Sequence, residues 1–266
     1  MKKFRKIFSL SLQNEFTYRL NFILWRFRNI LRVLMTIFLW EVVFVNRSNA
    51  FGYTKAQMLG YVFLVLVIQT LVLASPSNDN IGGEISNGDL SNYLVKPISY
   101  VRFWLTRDLA SKFLNLLFAT VEFGLLLFFF HPDLSFPITL VGTVTGLISW
   151  GLGIMIFFFL TKITVFAAFW TPENTWGLTF LVLVLLEVFS GAIFPLDILP
   201  ATAQTVLQFT PFPYLIYFPI SLFIGRFNSA TAWRIIIQSS LWLLICWYVS
   251  ARVWRAGLKT YSANGN

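Results

Sequence analysis

The sequence predicts an all-α membrane protein of six transmembrane helices, with an amphipathic interface helix before the first span, a helical loop on the cytoplasmic side and an exterior segment that re-enters the membrane. Three observations carry this prediction. Hydrophobic residues make up 57% of the chain and charged residues only 12%. The apolar residues are gathered into long runs instead of recurring with amphipathic period. The runs do not alternate apolar with polar, as the shorter strands of a membrane barrel would. A spanning helix takes roughly 20 mainly apolar residues, because hydrocarbon offers no partner to backbone N–H and C=O groups. Runs at 22–45, 56–74, 113–131, 138–160, 176–194 and 232–250 meet that length.

Residues 1–21 precede the spans. Lys2, Lys3, Arg5 and Lys6 open this segment, while Phe4, Ile7, Phe8, Leu12 and Phe16 recur at three- and four-residue steps, as one apolar helix face would. It reads either as a helix lying along the inner leaflet or as a basic anchor that only fixes topology. The first span contains Arg32 and Glu41 and lacks a small-residue cleavage site, so it is expected to act as an uncleaved insertion signal.

Lys and Arg placement orients the six-helix domain, 22–250, because cations are retained beside spans on the cytoplasmic side. Arg19, Arg26 and Arg28 flank the first span, and Lys96, Arg102, Arg107 and Lys112 lie between the second and third. Lys162 lies between the fourth and fifth, and Arg252, Arg255 and Lys259 are in the tail, 251–266. The opposite loops hold only Arg47, Lys55 and Arg226. Both termini are therefore expected in the cytoplasm. The net charge of +9 then reflects attraction to anionic membrane lipid, and no nucleic-acid partner is expected.

Two loops stand out. The cytoplasmic loop, 75–112, opens with Ser75-Pro76-Ser77-Asn78-Asp79 and carries a turn signal at Asn87-Gly88-Asp89. A short helix is predicted after that turn, with Leu90, Tyr93 and Leu94 on one face and Pro97 ending it. Such a stripe either rests on lipid or fills a groove on a protein partner. The exterior segment, 195–231, holds Pro195, Pro200, Pro211, Pro213 and Pro219 among many Phe, Leu, Ile and Tyr residues. It reads as proline-broken helices returning into the outer leaflet, or as a compact cap; irregular backbone at membrane depth has to be buried against protein or line a cavity.

Sites for chemistry are sparse. There is no Gly-x-x-x-x-Gly-Lys-Ser/Thr phosphate loop, so ATP hydrolysis by that route is not expected on this chain. His131, in His131-Pro132-Asp133, is the sole histidine and makes no convincing catalytic or metal constellation. Cys246 is the sole cysteine, which rules out an intrachain disulfide. Glu41, Glu122 and Glu187 are costly in hydrocarbon; Glu122 and Glu187, near mid-membrane, either line a route or bond between helices. Gly142 and Gly146 permit close helix approach, and Trp233 and Trp254 mark the ends of the last span. Two other functional classes remain open on these residues. One is a membrane acyl or glycosyl transferase using His131 or an intramembrane Glu; the other is a channel or carrier using Glu122 and Glu187.

Two tracts resemble the membrane subunits of ABC-2 type transporters, particularly bacterial permeases encoded separately from their ATPase. The first is Glu84, Gly88, Leu90, Leu94 and Pro97-Ile98-Ser99; the second is Ser190-Gly191-Ala192-Ile193-Phe194-Pro195-Leu196-Asp197-Ile198-Leu199-Pro200, followed by Pro211. The six-span layout agrees along the chain. The resemblance implies that Glu84, Gly88, Leu90, Tyr93, Leu94 and Pro97 form a coupling helix docked in a cytoplasmic ABC ATPase, which carries ATP and Mg. It implies that Pro195, Pro200 and Pro211 belong to an exterior gate, and that two membrane subunits pair around the pathway. The second subunit is another copy or a related permease. The implied setting is the bacterial plasma membrane, and the implied activity is export of a lipid-like, drug-like, glycan or peptide substrate. No cofactor and no catalytic residue is implied on this chain.

Overall fold

Polar residues at the helix starts decide where the apolar runs become helices. Thr54 Oγ1 accepts from Gln57 N at 3.2 Å and Gln57 Oε1 accepts from Thr54 N at 3.1 Å, a reciprocal pair that opens α3 (Lys55–Val72). Thr139 caps α7 (Leu140–Val165) through Gly142 N, and Asn228 caps α11 (Ser229–Thr260) through Thr231 N. The computed structural model describes residues 2–17, 19–75, 77–131 and 139–262. Its other α-helices are α1 (Lys2–Thr17), α2 (Arg19–Val43), α4 (Ser77–Ser86), α5 (Ser91–Leu94), α6 (Tyr100–Phe130), α8 (Thr175–Phe189), α9 (Ala201–Gln208) and α10 (Tyr217–Phe223). A hairpin of β1 (Asn49–Ala50) and β2 (Tyr53–Thr54) turns through Phe51 and Gly52, both in the left-handed region. Pro76, Pro132 and Asp133 lie outside the described residues, as do the side chains of Lys2, Phe16 and Arg19.

Each expected span falls on a helix, with shifted ends. Among the described residues, α3, α6, α7 with the turn after it, and α11 have the length and apolar composition to cross a membrane. The other two differ for visible reasons: α2 carries Arg26, Arg28, Arg32 and Glu41 along its length, and α8 has 15 residues. α6 begins at Tyr100 rather than at 113, because Ser99, in extended conformation after Pro97, is its N-cap; the later part of the expected 75–112 loop is therefore helical. α11 runs to Thr260, so most of the expected 251–266 tail is helix. α8 stops at Phe189 instead of 194, and Gly191 turns the chain at φ 87°. At 1.5 Å per residue, α6 is about 46 Å long and α11 about 48 Å, well beyond a hydrocarbon thickness of about 30 Å.

α3 is the most buried of the four span-length helices, and its Tyr61, Phe63 and Ile68 share the main core with Phe157, Leu215, Ile216 and Ile220. α1 packs along α6: Phe4, Ile7, Phe8 and Leu12 are half-buried, and the Phe8 ring lies 6.1 Å from Phe113. The Gly142 and Gly146 pair receives a short element instead of a full-length helix. A Cβ on Gly142 would lie 2.8 Å from Leu222 O, one on Gly146 would lie 3.0 Å from the Phe223 ring, and one on Gly153 would lie 3.0 Å from Tyr214 O. The three glycines thus seat residues 214–223 against α7 as far as its midpoint. α8 stops short of the span length beside this seated segment, where Tyr217 N donates to Ser190 O at 2.9 Å and Tyr61 Oη donates to Gly191 O at 2.7 Å.

Candidate functional site

At one end of the bundle the chain folds into an aromatic platform. α4 turns at Gly88, which has φ 81°, and Leu90 N then donates to Glu84 O at 2.8 Å. Leu90 is buried among Ile81, Ile85, Tyr100, Trp104, Val165 and Phe166. Trp254 of α11 stacks on Tyr100 with centroids 5.2 Å apart and meets Phe166 at 4.9 Å. Gly257 leaves room for the Phe169 ring, which a Cβ there would meet at 2.0 Å. Tyr261 Oη donates to Gly88 O at 2.6 Å and accepts from Ser91 N at 3.1 Å, tying the loop to the end of α11.

The Glu84 carboxylate is the polar centre of this platform. It accepts from Tyr93 Oη at 2.9 Å, Tyr100 Oη at 2.5 Å and Trp104 Nε1 at 3.2 Å. Burial, followed by the Glu84 bond, pushes the Tyr93 phenol up to about 12. The expected common face of Leu90, Tyr93 and Leu94 is divided. α5 has four residues and Leu90 is its N-cap, so Leu90 turns inward and Tyr93 is half-buried, while Leu94 is 46% and Val95 82% exposed. Pro97 is exposed beside them. Glu84, Gly88, Leu90 and Tyr93 therefore shape the loop from within, and Leu94, Val95 and Pro97 form its outer tip.

Inside the bundle, Glu122 and Glu187 meet arginines of α2. Arg26 Nε and Nη2 donate to the two Glu122 oxygens, each at 2.7 Å, and Nη1 donates to Asn115 Oδ1 at 3.2 Å. Both side chains of that pair are buried. Arg32 pairs with Glu187 near the middle of α2, but there the side chains are 38% and 42% exposed. Glu41 pairs with Lys55 at 2.6 Å. Another buried charged cluster surrounds the end of α3. Lys112 Nζ donates to Leu71 O at 2.5 Å, to Val72 O at 3.1 Å and to Ala74 O. Ser75 Oγ donates to Asp108 Oδ2 at 2.9 Å, and Lys162 Nζ lies 4.0 Å from the same oxygen.

At the opposite end, Pro195, Pro200 and Pro211 each stand at the N-cap of a short element: Pro195 before the turn Leu196–Ile198, Pro200 before α9 and Pro211 before the turn Phe212–Tyr214. Asp197 locks this region to the hairpin. Tyr53 Oη lies 2.9 Å from both Asp197 oxygens, Arg226 Nη2 donates to Oδ2 at 2.7 Å, and the guanidinium sits 3.9 Å over the Tyr53 ring. Burial and the Asp197 charge hold the Tyr53 phenol well above its ordinary value. A cavity of about 220 Å³ beside the lock is lined by Asp197, Gln204, Leu207, Tyr217, Phe218 and Arg226.

In the sequence Lys112 and Lys162 serve only as topology markers and Asp108 does not stand out; the usable signal is the i, i+4 spacing of Asp108 and Lys112. Nor do Tyr53 and Tyr261 stand out, since they carry no local motif. His131 caps α6 in left-handed conformation, and Asp133, with which it was paired in the sequence, is outside the described residues. Trp254 lies within the platform, while Trp233, near the start of α11, is 50% exposed.

No curated protein and no solved structure matches the chain. A family model described as ABC-2 family transporter protein matches residues 30–265, which takes in the platform, Glu122, Glu187 and the Asp197 lock. The chain therefore belongs to the ABC-2 transporter family and is a multi-pass permease subunit of an ABC transporter.

Proposed function

We propose that this permease is one of two six-span membrane subunits of an exporter in the bacterial plasma membrane, driven by a separate ABC ATPase that binds and hydrolyses ATP with Mg. The ATPase docks on the tip formed by Leu94, Val95 and Pro97. The observation that carries this reading is an exposed apolar tip on a loop locked from within by Glu84, Gly88, Leu90, Tyr93 and Tyr261. A tip pre-organised in this way loses little conformational freedom on entering a protein groove. α6 and α11 overrun a hydrocarbon core by about 16 Å or more, which supports a tip held clear of lipid.

The Lys and Arg distribution supports a cytoplasmic platform, with both termini on that side. A half-exposed Arg32–Glu187 pair in mid-helix is costly against hydrocarbon, so the face shared by α2 and α8 is covered by the second membrane subunit and borders the pathway. Arginine partners for Glu122 and Glu187 favour interhelical bonding over a proton route. The prolines at 195, 200 and 211 shape the segment that closes the outward end, re-entering the outer leaflet against the glycines of α7. The substrate is amphipathic: lipid-like, drug-like, glycan or peptide.

The test is recovery of partners from native membranes in mild detergent, with wild type and with Leu94→Asp. An ABC ATPase recovered with wild type and lost with Leu94→Asp, at unchanged thermal stability of the permease, is the expected result. Equal recovery with both chains, or an intact wild type with no ATPase, overturns the assignment.

A further inference from the structure

We propose that Lys112 and Asp108 form a latch that carries movement of the docked loop into α3, and through α3 to the exterior segment. The inference rests on the ATP-driven reading above and assigns positioning residues to it. The last carbonyls of a helix have no partner within the helix. Here a single ammonium, from α6, takes the carbonyls of Leu71, Val72 and Ala74, where it also meets the negative end of the α3 dipole. One turn earlier on α6, Asp108 accepts the hydroxyl of Ser75, the third residue beyond α3. Lys162 of α7 lies against the same carboxylate, so three helices meet where the chain passes from α3 to α4. Asp108, Lys112 and Lys162 are each at most 5% exposed.

A structural cap alone does not require this arrangement, because buried charge is costly and a hydroxyl could satisfy one carbonyl. An ammonium facing several acceptors can move from one carbonyl to the next while its charge stays compensated. That gives the α3 end discrete positions, the property a coupling element needs. α3 then delivers the displacement to two contacts on the exterior segment. Tyr61 donates to Gly191 O, and Tyr53, just before the α3 cap, holds Asp197. The latch thus lies on a continuous physical route from platform to exterior lock.

The experiment uses the co-purified permease–ATPase complex in a Cys246→Ala background, with Val206→Cys as reporter; Val206 is 61% exposed on α9. Labelling by a membrane-impermeant maleimide is timed with and without ATP plus vanadate, and ATP hydrolysis is measured in parallel. With the native latch, nucleotide should change the labelling rate by at least about fivefold. Lys112→Met should reduce that change to less than about twofold while hydrolysis by the complex continues. Ser75→Ala keeps the Lys112 cap and loses only the hydroxyl, so it should fall between the two, and it decides the matter if Lys112→Met does not assemble. A full response in Ser75→Ala, or in an assembled Lys112→Met, overturns the latch. A complex with the native latch whose exterior thiol ignores nucleotide refutes the ATP-driven reading instead, and the latch falls with it.

Discussion

Replacing Glu84 by Ala should loosen the platform without any change at its exposed tip. The carboxylate accepts from three donors, and two of them, Tyr100 and Trp104, belong to residues only 5% and 1% exposed. A buried donor left without a partner costs about 1–3 kcal/mol, so the pair should cost about 2–5 kcal/mol after some relaxation. Tyr93 is half-buried and can recover a bond from water, so it adds little. The assay is hydrogen exchange by mass spectrometry over residues 84–104 in detergent, with thermal unfolding alongside. A loss of about 2 kcal/mol lowers protection on the order of 30-fold where exchange requires opening of the loop. Glu84→Gln keeps one acceptor oxygen and should be intermediate. Protection within about threefold of wild type in Glu84→Ala would refute the view that this carboxylate organises the loop.

Arg26→Met should destabilise the bundle by about 3–5 kcal/mol, since it strands a buried carboxylate, whereas Arg26→Met with Glu122→Leu should recover most of that loss; a double-mutant cycle of thermal stabilities measures it, and strict additivity would argue against the pair. The Tyr93 phenol, raised from 10.0 to about 12, chiefly by burial and next by its Glu84 bond, contributes stability that is fully present below pH 10 and lost as pH rises through about 12. Exchange protection of residues 84–95 should therefore decline over that window more steeply in wild type than in Tyr93→Phe, and parallel pH profiles would count against the buried phenol.

The helices were legible because hydrocarbon forces long apolar runs, and those runs stand out in any window. Their ends were less so. α11 starts at Ser229, three residues before its apolar run, and the start of α6 at Tyr100 is hidden because Arg102, Arg107 and Lys112 make its first turns read as loop. Pairing between helices could not be read at all. Arg26 and Glu122 are 96 residues apart, and they meet only because α1 and α3, each packed on both helices, bring α2 beside α6. The same holds for the tip: the direction in which Leu90 points depends on the left-handed turn at Gly88, and a four-residue helix has too little periodicity to report it. The glycine pair of α7 signalled a close approach, but its partners, the Leu222 carbonyl and the Phe223 ring on the short α10, carry no motif that would name them in advance.

That seat has a consequence for how the protein can diversify. At Gly142 and Gly153 the opposing atoms are carbonyl oxygens of Leu222 and Tyr214, and a carbonyl has no rotamer with which to accommodate a larger neighbour. Inherited change is therefore allowed unequally on the two sides of the contact. The segment around α9 and α10 can exchange side chains at the exposed Val206 or Phe209, as long as its main-chain path is kept. The α7 glycines have no comparable latitude. Lineages that acquire new cargo should accumulate their differences on the exposed side of the segment, above an α7 surface that stays small.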